Sequence, residues 1–297
     1  MTTTIGEEIK KRRLEKGLTQ VELAENICTQ ATISNLENKG TVPTILILLQ
    51  LTDKLDMELD NVLEYTKDKD NGHNKVFKEV RELCSKALHG EAHELLKSGI
   101  DFDKLETIYD IKLFYYYMGI TSLMGVETPS DAIYYFNQVL SSEADKSHDF
   151  LDVSATNGIG IAYYNQNENE KALTYFERSL EQLDELFTLI DTINNSPEIA
   201  KMYYNSAKFY SEIGEYNKAV NLSNLGIELL KKEGLTYYLD VLLYEKAFNL
   251  MELGKKTDSE KNYLHAMVTA DSKGNNSLMD TIKSDVEKYG IQAYNYY

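Results

Sequence analysis

A repeated helical plan in the last two thirds of the sequence constrains the fold more than any other feature. Four segments share this plan, in which a helix with a small and an aromatic residue precedes a short turn and a second helix: 115–140, 157–180, 205–227 and 245–267. The second helix opens with a small residue, in steps of 40, 47 and 40 residues, at Ala132, Ala172, Ala219 and Ser259. Such a hairpin has two apolar sides and buries them by stacking on its neighbours. The repeat therefore predicts a stack of helical hairpins.

The rest of the sequence agrees with an all-α fold. The 297 residues include 3 prolines, and no segment after residue 74 shows the alternating pattern of a strand. A degenerate hairpin at 76–96 precedes the clear repeats, so residues 75–297 are expected to form about five hairpins and a C-terminal helix. The polar segment 66–74 contains Asn-Gly and is expected to be a linker. Residues 1–65 are then expected to form an N-terminal domain.

The charge of the chain is distributed unevenly. The net charge is −17, and residues 1–65 hold 7 Lys/Arg against 11 Asp/Glu, but residues 9–40 hold 6 basic and 4 acidic residues. A small basic face is therefore compatible with the first helices, whereas the acidic remainder would repel nucleic acid. Neither a membrane-spanning apolar run nor the apolar core of a signal peptide is present, so we expect a cytoplasmic protein without membrane contact. The two cysteines are expected to be reduced thiols.

Local signals in the N-terminal segment predict two helices joined by a tight turn. Ile5, Ile9 and Leu14 recur at helical spacing, and Gly17 is suited to end that helix. Thr19 with Glu22 three residues later forms the pattern of a capping box at the start of the next helix. The buried side of this second helix is expected to hold Leu23, Ala24 and Ile27.

A third helix carries a polar outer face. Thr29 is suited to cap it, and Ile33 and Leu36 are expected to point inward. The outer side then holds short polar or small side chains, at Gln30, Ala31, Ser34, Asn35 and Asn38. Amide side chains at the start of such a helix can pair with adenine edges in the major groove of DNA. Residues 41–63 predict two more short helices, which makes five in the domain.

Residues 5–64 resemble the Cro/C1 (Xre-type) helix-turn-helix family. The resemblance is carried by Leu18-Thr19-Gln20, Leu23-Ala24, Ile33-Ser34, Leu36-Glu37 and Pro43. It implies that Gln20 contacts a phosphate, that Gln30, Ala31 and Asn35 occupy base-reading positions, and that Arg13 and Glu37 pair the first helix with the third. Many members of the family carry Arg where Asn35 stands, which favours a low affinity for phosphate in one domain and a larger part for dimer avidity.

The repeats resemble the tetratricopeptide family, which implies a right-handed solenoid whose first helices line a concave groove. Asn157 and Asn205 occupy equivalent places near the start of two successive first helices, 48 residues apart. An Asn amide donates and accepts at once, so the pair is suited to hold the backbone of an extended peptide. The alternative is that each Asn caps or solvates its own helix. Further candidates on the same faces are Tyr204, Lys208, Glu245, Lys246 and Asn249.

The order of the two parts, in about 300 residues, resembles the RNPP family of peptide-responsive regulators. That resemblance implies a cytoplasmic homodimer that binds a near-palindromic operator and a short signalling peptide in the groove. Two alternatives remain open: an Xre-type repressor whose repeats bind a protein or a small molecule, and a non-transcriptional adaptor.

Enzymatic and metal chemistry have little support in the sequence. There is no Gly-rich phosphate loop and no nucleophile motif, so neither an enzyme nor a cofactor is expected. His89 and His93 are spaced like two metal ligands on one helix face, but Gly90 lies between them and no third ligand is evident. No metal is therefore expected.

Overall fold

The computed structural model describes residues 5–39, 43, 45–55, 57, 72–105, 107–141, 149–189 and 196–291. Every regular element in these residues is a helix, which confirms the all-α expectation. The chain divides into two compact units, Met1–Ala162 and Tyr163–Tyr297, and each is described by itself.

The first unit begins with four short helices and continues with longer ones. Its elements are α1 (Ile5–Glu15), α2 (Gln20–Ala24), α3 (Gln30–Lys39), α4 (Ile45–Lys54), α5 (Gly72–Ser85), α6 (His89–Gly99), a 3-10 turn (Phe102–Lys104), α7 (Ile108–Met124), α8 (Pro129–Ser141) and α9 (Phe150–Asn165). The last three residues of α9 belong to the second unit, which continues with α10 (Asn169–Leu189), α11 (Ser196–Glu212), α12 (Tyr216–Lys232), α13 (Leu239–Glu252), α14 (Lys256–Lys273) and α15 (Asn276–Tyr289).

Helices α1 to α4 share one apolar core, built from Ile5, Ile9, Leu23, Ala24, Ile33, Leu36, Leu48, Leu51 and Leu55. Leu14 does not join it and is 60% exposed, because five residues turn it by about 140° from Ile9 around α1. Helix α1 crosses α3 closely at Gly6, where a Cβ would lie 2.1 Å from the Leu36 carbonyl oxygen. A glycine is therefore required at this crossing.

The predicted boundary signals are present, but α2 is shorter than expected. Gly17 adopts a left-handed φ of 69° after α1, and Thr19 and Glu22 form the predicted capping box. Helix α2 ends at Ala24, and Asn26 turns the chain with a φ of 64°. The prediction that Ile27 lies on this helix was therefore wrong, because Ile27 packs on the core from the turn that follows the helix.

Helix α5 begins at Gly72, so residues 72–74, the end of the expected linker, form its first turn. Residues 58–71 lie outside the described residues. They include most of the expected fifth helix of the N-terminal domain, its boundary at residue 65 and the rest of the linker.

The described repeats are helical hairpins followed by a final helix. Helices α5 and α6, α7 and α8, α11 and α12, and α13 and α14 pack as pairs, and α9 and α10 follow one another across a short turn. The small residues predicted to open the second helices are all fully buried, at Ala132, Ala172, Ala219 and Ser259. Ala92 takes the same place in the first hairpin. These residues confirm the stacking requirement that the repeat implies.

Each hairpin turn contains one left-handed residue, five positions before the buried small residue: Ala87, Glu127, Asn167, Gly214 and Gly254. The turn is closed by backbone hydrogen bonds of the kind made between Glu215 N–H and the Tyr210 carbonyl oxygen, at 2.8 Å. The last two hairpins use glycine for this backbone geometry, at Gly214 and Gly254, and the first three do not.

The Phe136 side chain packs between two helices in the middle of the first unit. Its ring lies in a slot between α7 and α9, where a Cβ at Gly119 or Gly158 would approach it to 2.6 or 2.5 Å. The Lys112 ammonium, on α7, is buried and lies 2.8 Å from a carboxylate oxygen of both Asp149 and Asp152 at the start of α9. Every residue of α9 from 151 to 160 is buried.

The second unit has a continuous apolar core, and hydrogen bonds hold its last helix in place. Leu242, Ala247 and Ala266 lie in this core. The Asp285 carboxylate of α15 accepts hydrogen bonds from the hydroxyls of Tyr244 and Tyr263, both at 3.0 Å. Across the described ranges, no helix combines the length and the apolar character that crossing a membrane requires.

Candidate functional site

The polar face of α3 is supported by a buried ion pair. Arg13 on α1 donates from Nε and a terminal nitrogen to the two carboxylate oxygens of Glu37 on α3, at 2.6 and 2.8 Å. A third Arg13 nitrogen donates to the Leu18 carbonyl oxygen at 2.7 Å. Burial raises the pKa of Glu37, but the hydrogen bonds from Arg13 and Gln20 outweigh it and hold the pKa below its ordinary range. Glu37 is therefore an ionised anchor, placed where the resemblance implies.

Hydrogen bonds through two glutamines link the Glu37 carboxylate to the surface. Gln20 Nε2 donates to Glu37 Oε2 at 2.9 Å, and Gln20 Oε1 accepts from Gln30 Nε2 at 2.8 Å. Gln20 begins α2 and Gln30 begins α3, so the turn between them brings the two amides together. Within the residues that the structure describes, Gln30 Oε1 and the second Gln30 N–H have no partner. Gln30 can thus offer one acceptor and one donor in a fixed orientation.

The other predicted residues of α3 lie along the same side. Ala31 and Asn38 are exposed, and Ser34 and Asn35 are half-buried. Asn35 has no hydrogen-bond partner among the described residues, whereas Asn38 Nδ2 donates to Ser34 Oγ at 3.3 Å. Thr29 precedes α3 and accepts from the Thr32 N–H at 3.2 Å, so it caps the helix.

This arrangement has the chemistry needed for reading base edges. An amide with one free donor and one free acceptor matches the N6 and N7 edge of adenine in the major groove. Gln30 has that pair of groups at the N-terminal end of a ten-residue helix, and Asn35 lies about one and a half turns further along. The two side chains point about 140° apart around α3, so they lie at the two edges of its polar face and can form two separate amide contacts.

A second group of predicted residues lies between α11 and α13. Tyr204 and Lys208 are on α11, and Glu245 and Asn249 are on α13, which contacts it. Asn249 Nδ2 donates to the Glu245 carbonyl oxygen at 2.7 Å and to its carboxylate at 2.9 Å. The Tyr204 ring lies 5.5 Å from that of Tyr238. We name Tyr204, Lys208, Ser211, Glu245 and Asn249 the α11–α13 cluster.

The α11–α13 cluster is built around a carboxylate without a buried cation. Glu245 is 5% exposed, and burial raises its pKa above the ordinary range. Hydrogen bonds from Asn249 and Ser211 and the charge of Lys208 offset part of that rise in pKa. The Asn249 Oδ1 atom is buried without a hydrogen-bond partner. An added hydrogen-bond donor would therefore stabilise this cluster.

Three of the predicted groove residues have unlike surroundings. Asn205 is half-buried on α11, beside the α11–α13 cluster. Asn157 is 2% exposed in the wholly buried part of α9, so the expectation that it lines an open face is not met in this conformation. Burial lowers the pKa of Lys246, and the next contributions to that pKa come from charges on α12 and α14, among them Lys231 and Asp258. Lys246 therefore faces a different pair of helices from Glu245, its neighbour in sequence.

Sequence reasoning missed some residues that shape these sites. The hydrogen bond between Gln20 and Gln30 and the glycine at position 6 depend on how helices cross, which no local pattern encodes. Ser211 gave no signal in the repeat.

His93, one of the two histidines with metal-ligand spacing, is engaged in a buried contact between α6 and α7. Its Nδ1 atom lies 2.9 Å from Thr121 Oγ1. In the part of the chain that the structure describes, no group of three metal-binding side chains is assembled.

Comparison with known proteins supports this architecture. Residues 9–62 match the family model described as Helix-turn-helix. No curated protein sequence matches the chain. Among solved structures, the chain is similar to PlcR of Bacillus thuringiensis in complex with the peptide PapR7 and DNA, with 20% identity and a TM-score of 0.64 over 95% of this chain and 99% of that chain.

A second similar structure is ComR from S. thermophilus in complex with DNA and its signalling peptide ComS. It has 14% identity and a TM-score of 0.54, over 97% of this chain and 100% of that chain. These similarities show a shared fold, a helix-turn-helix domain followed by helical repeats. They confirm, at the level of fold, the resemblance that the sequence carries.

Proposed function

We propose that this chain is a cytoplasmic transcription regulator that binds operator DNA as a homodimer and is controlled by a short signalling peptide. The observation that carries the DNA-binding part is the Arg13–Glu37–Gln20–Gln30 series, which fixes an exposed amide at the start of α3. PlcR and ComR, which share the fold, were both solved with DNA and a peptide.

Gln30, Ala31 and Asn35 read bases, and Gln20, Thr29, Ser34 and Asn38 support the docking of α3 on the duplex. Gln20 acts mainly through Gln30, since both ends of its amide are already engaged. A single domain of this kind carries few basic residues, so one copy binds feebly. Two copies in a dimer gain effective concentration and match a near-palindromic site.

The peptide binds beside the α11–α13 cluster. Tyr204, Asn205 and Lys208 are at least partly exposed there, so they contact the peptide directly. Glu245 and Asn249 are buried and hold the cluster in shape. The Asn205 amide is suited to pair with peptide backbone groups, and Tyr204 supplies apolar surface. Asn157 is buried and Lys246 faces other helices, so neither is part of the proposed peptide site.

Selection from a pool of random DNA duplexes tests the DNA-binding part. Enrichment of a sequence with two inverted half-sites is the expected result, and recovery of no common sequence would refute it. Light scattering at tens of micromolar tests the dimer, and a monomeric mass with and without DNA would contradict it.

Titration with short synthetic hydrophobic peptides tests the regulatory part. Saturation in the micromolar range or tighter is expected for at least one sequence in a varied set. A chain that selects an operator but binds no peptide would instead be a regulator controlled by a protein or a small molecule.

A further inference from the structure

The cations of α1 differ in what they contact. The Arg12 Nε atom lies 3.3 Å from a Glu8 carboxylate oxygen, and a terminal Arg12 nitrogen lies 3.6 Å from a Glu15 carboxylate oxygen. The Lys11 Nζ atom lies 4.0 Å from the Glu8 carboxylate, and Arg13 is paired with Glu37. Lys10 alone among them has no direct ion pair in the part of the chain that the structure describes, although its charge helps to lower the pKa of Glu37. Its Nζ lies 3.5 Å from Asn38 Oδ1, on the last turn of α3.

This contact places a positive charge at the far end of the reading face. Asn38 is eight residues after Gln30, which is about 12 Å along the helix axis. The major groove of B-DNA is also about 12 Å wide. When Gln30 faces base edges, the other end of α3 is therefore at the distance of a groove wall, where the phosphates lie.

A phosphate at that end needs a cation beside it. The C-terminal end of a helix carries a partial negative charge, which repels an anion. Lys10 offsets that charge from outside the helix, because the close crossing at Gly6 brings α1 against α3. The Asn38 amide is held by Lys10 on one side and by Ser34 on the other. One Asn38 N–H stays available next to the Lys10 ammonium.

We propose that Lys10 and Asn38 together form a phosphate clamp for the DNA backbone, joined across α1 and α3. The inference rests on the proposed function and assigns a DNA-contacting role to a residue outside the helix-turn-helix. Arg12 and Arg13 are paired with carboxylates, and Lys11, whose Nζ lies 4.0 Å from Glu8, has no hydrogen bond to α3 among the described residues.

The salt dependence of binding to a duplex of random sequence tests the clamp without knowledge of the operator. The slope of log K against log salt reports the number of phosphates that cations neutralise. Lys10→Gln is expected to reduce that slope by about 0.9 for each DNA-bound domain. Lys11→Gln is the matched control, because it removes the same charge from the same helix, and it is expected to leave the slope unchanged. Lys10→Arg is expected to retain the slope of the unmodified protein.

The outcomes separate this inference from the proposed function. Equal slopes for Lys10→Gln and Lys11→Gln, with normal binding by the unmodified protein, overturn the clamp alone. Absence of salt-dependent binding in the unmodified protein overturns both. Circular dichroism and thermal melting of each variant show whether a lost slope comes from a lost fold. Asn38→Ala, which keeps every charge, is expected to weaken binding and to leave the slope unchanged.

Discussion

Glu37 in the first unit and Glu245 in the second are both buried glutamates, and they are held in opposite ways. Glu37 faces the Arg13 guanidinium, and its pKa is below the ordinary range because hydrogen bonds from Arg13 and Gln20 outweigh its burial. Glu245 accepts hydrogen bonds from the neutral Asn249 and Ser211, and burial, with a smaller contribution from the Glu212 charge, holds its pKa above the ordinary range. Lys208, the cation whose charge lowers the pKa of Glu245, is exposed.

The difference teaches what each buried acid is suited to do. A carboxylate with a buried cation keeps its charge and serves as a rigid support, here for the amides of Gln20 and Gln30. A carboxylate with neutral partners has a charge that depends on what approaches it. The first arrangement suits a face that must keep one shape, and the second suits a site that responds to a ligand.

Removal of the cation from the rigid arrangement should have the largest effect. Arg13→Ala leaves Glu37 buried without its partner, which costs about 3–5 kcal/mol. Lys11→Ala removes an exposed partner of Glu8 and should cost no more than about 1 kcal/mol. Hydrogen exchange of the α1 and α3 amides in the full chain measures both. A small effect of Arg13→Ala would mean that the two buried acids are not held differently.

The next largest effect should come from substitutions on the proposed DNA-reading face, which should weaken DNA binding without affecting peptide binding. Gln30→Ala and Asn35→Ala should each weaken operator binding by about 1–3 kcal/mol. Neither should change the free energy of unfolding by more than about 0.5 kcal/mol, because both residues are at least partly exposed. Neither should change peptide affinity. Electrophoretic mobility shift with the selected operator measures the first effect, and operator affinity equal to that of the unmodified protein would refute the assignment of the reading face.

Asn205 and Asn157 provide the corresponding test in the repeats. Asn205→Ala should weaken peptide binding by about 1–3 kcal/mol, because peptide polar groups lose their partner, and should leave the fold and the dimer intact. Asn157→Ala, in buried α9, should instead lower the thermal midpoint of unfolding. Isothermal titration with a binding peptide and a melting curve of each variant distinguish the two roles. Unchanged affinity of Asn205→Ala would place the peptide elsewhere.

The smallest expected effect is a pH dependence with opposite signs in the two units. The pKa of Glu37 is lowered from 4.5, so the stability that Glu37 contributes is present above pH 4.5 and is lost as the pH falls through its folded pKa. The pKa of Glu245 is raised from 4.5, so its contribution is full below pH 4.5 and is lost as the pH rises through its folded pKa.

Glu245→Gln should therefore gain thermal stability relative to the unmodified protein as the pH rises from 4.5 towards neutrality. The exposed Glu228, changed to Gln, should show no such trend. Melting curves across this pH range measure the difference, and parallel curves for Glu245→Gln and the unmodified protein would show that Glu245 keeps its charge as Glu37 does.

The sequence by itself determined the features that depend on neighbours along the chain. Gly17, the capping box of Thr19 and Glu22, and the buried Ala172 and Ser259 were predicted correctly, because a cap or a hairpin contact involves residues a few positions apart. The pairing of Arg13 with Glu37 came from resemblance to a known family, and the polar face of α3 came from helical periodicity.

Only the tertiary structure decided which surfaces those elements present. Asn157 and Asn205 have equivalent places in the repeat, yet one is buried and the other is half-buried, because burial depends on the neighbours of the whole helix. Lys246 and Glu245 are adjacent in sequence but face different helices, since successive residues of a helix point about 100° apart. Gln20 meets Gln30, and Lys10 meets Asn38, because the crossings of α2 and α1 with α3 bring distant positions together.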